Sequence, residues 1–82
     1  MFAYKIEVNE EMSNLVQLKA FEMGYHWEFD QLMLNNTDKP SHLRSNYLYL
    51  NKNGTIYFSD NQKYFRTERN YIHITPQEFL NL

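Results

Sequence analysis

Cysteine is absent from this 82-residue chain, which removes disulfides and thiolate metal ligands together. Glycine occurs only twice, so no glycine-rich loop can be assembled to cradle a phosphate. No apolar run approaches the ~20 residues that span a bilayer. The opening Met1-Phe2-Ala3-Tyr4-Lys5-Ile6-Glu7-Val8 lacks the basic and apolar regions of a signal peptide. There is no cationic surplus either: ten acidic side chains against eight basic leave a formal charge of −2. Tight non-specific binding to duplex DNA needs many phosphate contacts, and this balance excludes it. These absences point to a cytoplasmic protein with no membrane segment.

What the chain does have is rings: seven Tyr, six Phe and one Trp. Its length allows one domain, 1–82, that buries only about three fifths of its unfolded surface. Large aromatic side chains bury much area per residue and help so thin a core reach stability. Association with a second copy is the other route, and a homodimer is expected on that ground.

Phe2, Tyr4, Ile6 and Val8 alternate with smaller or charged residues, the period of a strand with one buried face. Asn9 offers a helix cap, and Met12, Leu15, Val16, Ala20 and Met23 then recur at helical spacing up to Gly24. The spacing predicts a helix over 10–23. Tyr25, Trp27 and Phe29 alternate with His26, Glu28 and Asp30 and predict a second strand. Residues 35–42 read as a loop.

Tyr47–Leu50 and Thr55–Phe58 flank Asn51-Lys52-Asn53-Gly54, a hairpin signal. A three-residue Lys52-Asn53-Gly54 loop with Gly54 left-handed pairs Leu50 with Ile56, Tyr49 with Tyr57 and Leu48 with Phe58. Like then faces like, which a two-residue loop would not achieve. Residues 60–70 show no clean period and read as an exposed connection. Tyr71–Ile74 predicts a last strand, and Thr75-Pro76-Gln77-Glu78 is a capping box opening a short helix through Leu80. The expected fold is α+β in the order β-α-β-β-β-β-α. It has two layers: a four- to five-stranded, mostly antiparallel sheet with one helix on one face, and a short C-terminal helix.

Parity sorts the candidate residues. If Leu48, Leu50, Ile56, Phe58, Ile72 and Ile74 face the helix, the opposite sheet face carries Tyr47, Tyr49, Tyr57, Tyr71 and His73. His26, Glu28 and Asp30 join them. An open face of tyrosines suits a protein partner, since tyrosine gives contact area at low entropic cost. It also suits nucleobase stacking, or is simply what a half-wet sheet prefers. Phe21 lies on the polar side of the predicted helix, either packed under the C-terminal segment or presented to a partner. Lys63, Tyr64, Arg66 and Arg69 mix cations with a ring, a combination that suits a phosphate-bearing ligand or a solvated surface. His26, Glu28 and Asp30 read as a solvated face rather than a metal site, because same-face neighbours on a strand stand about 7 Å apart. No metal, cofactor or catalytic residue is assigned.

The segments Tyr4–Val8, Lys19–Trp27, Tyr47–Leu50 with Asn53–Ile56, and Thr75–Leu80 together resemble small proteins of tailed bacteriophages, including T-even types. The resemblance spans most of the chain, rests on a strand, Gly-x-x-Trp and hairpin pattern, and transfers no site residue. It implies a protein of the host cytoplasm that binds and inhibits or modulates a host protein, with anti-defence roles in the same class. The leading expectation is therefore a non-enzymatic interaction protein. The alternative is a nucleotide-binding module that sequesters a small nucleotide signal by aromatic stacking and a basic loop.

Overall fold

A computed structural model describes residues 1–27 and 46–82. In chain order the elements are β1 (Tyr4–Val8), α1 (Glu10–Glu22), β2 (Asn46–Leu50), β3 (Ile56–Ser59), α2 (Gln62–Thr67), β4 (Ile72–His73) and α3 (Pro76–Leu80). The four strands form one sheet in the order β3-β2-β1-β4. β2 pairs antiparallel with both β1 and β3, whereas β4 runs parallel to β1. The fold is α+β, and its sheet is mixed.

Local chemistry explains most boundaries. The Asn9 side chain accepts from the Met12 amide 2.8 Å away and starts α1. At the other end Tyr25 N bonds Ala20 O and Gly24 N bonds Phe21 O, the paired closure that needs a left-handed residue. Gly24, at φ +99°, supplies it. The hairpin pairs Leu50 with Ile56, Tyr49 with Tyr57 and Leu48 with Phe58, the register that like-facing-like requires, and Gly54 sits at φ +91°. Thr75 and Glu78 satisfy each other's backbone amides at the start of α3, with Pro76 at the first helical position.

On one side of the sheet Tyr4, Ile6, Val8, Leu48, Leu50 and Ile56 pack with Val16 and Ala20 of α1 and Phe79 of α3. Phe79 is fully buried, its ring edge-on to Tyr4 at 5.6 Å. Phe21 is half-buried and packs on this core, so it is not a free aromatic. The buried face of α1 is not the stripe expected. Leu15 is 44% exposed, while Ser13 and Gln17 are buried in its stead. A chain of hydrogen bonds explains the swap: Trp27 Nε1 donates to Gln17 Oε1 at 3.2 Å, and Gln17 Nε2 donates to Ser13 Oγ at 3.0 Å. Satisfied in this way, the amide can enter the core.

Three further expectations are corrected. The second strand, 25–30, reduces among the described residues to a parallel bridge between His26 and Thr55. Glu28, Phe29 and Asp30 lie outside the described residues, as does the loop 35–42. The last strand, expected over 71–74, shortens to the two-residue edge strand β4; Ile72 shares the α1 face with its partner Tyr4 but stays half-exposed there. Most consequentially, part of 60–70 is the helix α2, started by the Asn61 side chain accepting from Tyr64 N at 2.9 Å. α2 lays Phe65 against the other sheet face, so the sheet is covered on both sides rather than one.

Candidate functional site

Covering by α2 changes the tyrosine face from a surface into a second core. Tyr47 and Tyr49 are buried with Phe65, and Tyr64 and Tyr71 pack around them. Tyr47 stacks on Phe65 at 4.4 Å between ring centres, and Tyr49 stacks on Tyr57 at 5.0 Å. Tyr49 is also tilted against Tyr64 at 5.5 Å and edge-on to Tyr71 at 5.2 Å. The open face expected from parity is therefore closed at Tyr47 and Tyr49. Tyr57 stays 40% exposed, Tyr71 is half-buried, and His73 is exposed with its ring edge-on to Phe65 at 5.1 Å.

Lys5 fastens the helix. It sits on β1 opposite Tyr49 and His73, pointing to the α2 side, and is buried. Its ammonium donates to the Phe65 carbonyl and, at 2.7 Å, to that of Glu68, and lies 5.0 Å from the centre of the Phe65 ring. A cation at the C-terminal end of a helix meets carbonyls that have no partner inside it, and also the negative end of its dipole. A short helix docked by two rings, Phe65 and Tyr64, thus gains a charged anchor.

Beside this second core lies an open cleft of about 430 Å3. Tyr64, Glu68, Asn70 and Tyr71 form one wall, while Asn51 and Lys52 of the hairpin, with Ala3, complete it. The Tyr71 hydroxyl donates to Asn51 Oδ1, tying the last strand's approach to the hairpin. The Asn70 amide, and behind it the Tyr64 hydroxyl, hold the Glu68 carboxyl below its ordinary range. Burial first, and then the Glu68 charge, push Tyr64 and Tyr71 upward. The cleft is thus lined by one carboxylate and one lysine, with the Tyr71 phenol bonded to Asn51 and the Tyr64 phenol and Asn70 bonded to Glu68.

Tyr49 is the odd member. It is fully buried, its hydroxyl has no hydrogen-bond partner among the described residues, and burial raises its pKa far above the tyrosine norm. The neighbouring phenols of Tyr57, Tyr64 and Tyr71 add to that rise.

The basic cluster read from the sequence does not converge. Tyr64 turns to the cleft, and Arg66 lies on the opposite flank, where with Glu7 it acts on Tyr47. Lys63 and Arg69 are exposed. Of the eight residues proposed for the open face and basic loop outside His73 and Phe21, only Tyr64 and Tyr71 line the cleft. Asn51, Lys52, Glu68 and Asn70 were missed; the first two were read solely as turn residues, the others as surface. His26 is half-buried with Nδ1 2.8 Å from the Trp27 carbonyl, away from His73's partner Phe65. The chain matches no family model, and no curated protein or solved structure is significantly similar to it.

Proposed function

We propose that this chain is a non-enzymatic interaction protein that binds and modulates a protein of a bacterial host, as in the small tailed-phage proteins it resembles. Anti-defence action in the host cytoplasm belongs to the same proposal. Among the described residues no helix is long and apolar enough to cross a membrane.

The observation that carries the reading is the half-exposed Tyr57, stacked on the buried Tyr49 and supported from behind by a packed core. A ring held rigid before binding loses little entropy on contact, which is what makes tyrosine an effective interface anchor. Exposed Lys63 and Arg66 on α2, with Arg69 just beyond it, supply charge of the kind that interface rims commonly carry. Self-association stays within the proposal but moves from the tyrosine face to the β4 edge, where Phe2 is 66% exposed and Ile72 half-exposed.

Capture from a bacterial lysate tests the main claim. The wild-type chain is expected to retain a host protein that Tyr57→Ala loses and Arg66→Ala binds less well, with both variants folded. Equal recovery by all three would sink the reading.

A further inference from the structure

The cleft beside Tyr64 and Tyr71 has a chemistry that an interface formed at Tyr57 leaves unused. Its volume of about 430 Å3 falls within the range of small-molecule sites. Its charged groups are of opposite sign, Lys52 and the ionised Glu68. An acidic peptide would satisfy Lys52 but be repelled by Glu68. A cationic side chain would satisfy Glu68 and be repelled by Lys52. The ligand that uses both carries hydrogen-bond donors at one end and an anion at the other. Two tyrosine rings in the same wall add a preference for a planar π-system between those ends.

We propose that this cleft binds a mononucleotide. The base lies against the Tyr71 and Tyr64 rings, Glu68 accepts from a base amine or a sugar hydroxyl, and the Lys52 ammonium meets the phosphate. Asn51, whose Oδ1 accepts from the Tyr71 hydroxyl and whose Nδ2 donates to Thr55, holds the Tyr71 ring in place. Glu68 is held in place for this by the Asn70 amide, which donates to its Oε1 at 2.9 Å. No groups need to be recruited from the flank where Arg66 lies, so the basic loop as a whole is not the site.

The test is a titration of the whole chain with AMP, GMP, CMP and UMP, followed by amide chemical shifts. At least one nucleotide is expected to bind at about 1 mM or tighter, moving the amides of residues 51–52, 64 and 68–71. Inorganic phosphate alone and the matching nucleoside alone should each bind at least about tenfold more weakly, since each lacks one anchor. Lys52→Ala, at an exposed turn position, should weaken nucleotide binding about tenfold or more while leaving the spectrum of the core intact. Glu68→Gln should also weaken it, though its amide oxygen can still accept from Asn70. The proposal is overturned by no shift in those amides with any of the four nucleotides, or by unchanged affinity in Lys52→Ala. Phosphate binding as tightly as the nucleotide would also overturn it, as an anion site without base recognition. Because Tyr57 and Arg66 lie outside the cleft, this failure leaves the lysate result on the protein partner separately readable.

Discussion

The two sides of the sheet are built from different material. The α1 and α3 side is mostly aliphatic, Ile6, Val8, Val16, Ala20, Leu48, Leu50 and Ile56, with the rings of Tyr4, Tyr25, Trp27 and Phe79 among them. The α2 side is rings with polar tips, Tyr47, Tyr49, Tyr64 and Tyr71 around Phe65, with a buried lysine beneath. Aliphatic groups need only volume filled, so that side is set chiefly by packing, with the Trp27–Gln17–Ser13 chain as its polar exception. Every phenol, by contrast, carries a group that must find a partner or lose solvation. Tyr71 finds Asn51, Tyr64 finds Glu68, and Tyr49 finds none among the described residues. The α1 side holds the domain together, whereas the α2 side keeps polar chemistry close to the surface where a ligand can use it.

The largest expected effect breaks the aliphatic side. Phe79→Ala removes a fully buried ring and should cost about 3–5 kcal/mol, read as thermal or urea unfolding. A loss under about 1 kcal/mol would show that α3 contributes little to the core. Lys5→Met attacks the other side. It removes charged hydrogen bonds worth about 1.5–3 kcal/mol and leaves the Phe65 and Glu68 carbonyls, at the end of α2, without their donor. Hydrogen exchange should accelerate in residues 62–67 while α1 keeps its protection. Uniform acceleration across both helices would refute the division into two sides.

Alkali sharpens the same contrast. Burial raises the pKa of Tyr47, Tyr49, Tyr64 and Tyr71 above the ordinary value of 10.0. A raised phenol contributes stability that is fully present below pH 10 and is lost as the pH climbs through the folded value. Stability should thus begin to fall above about pH 10, with phenolate absorbance appearing as α2 loosens. The smallest effect is expected at Tyr49→Phe, which deletes a hydroxyl with no partner among the described residues. It should leave stability unchanged or raise it by up to about 1 kcal/mol. A clear destabilisation would mean that the hydroxyl is bonded in solution, for instance to an internal water.

Sequence reasoning succeeded where the signal is local. The Asn9 cap, the Gly24 stop, the Thr75–Glu78 box and the Gly54 turn each involve residues within a few positions of one another, so their geometry is written in neighbouring side chains. The hairpin register followed because a slip would exchange faces. α2 escaped because its six residues, Gln62–Thr67, are too few to display a helical period. Its position depends on Lys5, a residue more than fifty places away that alternation alone marks as outward. Gln17 and Ser13 likewise look solvent-facing until Trp27 is brought over them. The cleft was illegible for the same reason, since Lys52 and Glu68 meet only after α2 returns to the hairpin.

β1 lies in the middle of the sheet, yet it is the first strand of the chain, and its partners begin at Asn46 and Ile72. During synthesis it therefore waits with both edges bare until β2 has been made, and with one edge bare until β4 follows. Few of its final contacts can form early, and long-range pairing of this kind slows folding. The alternating Tyr4, Ile6 and Val8 would meanwhile be free to pair with a neighbouring nascent chain. Expression yield should then respond more to temperature and synthesis rate than native-state stability alone would suggest.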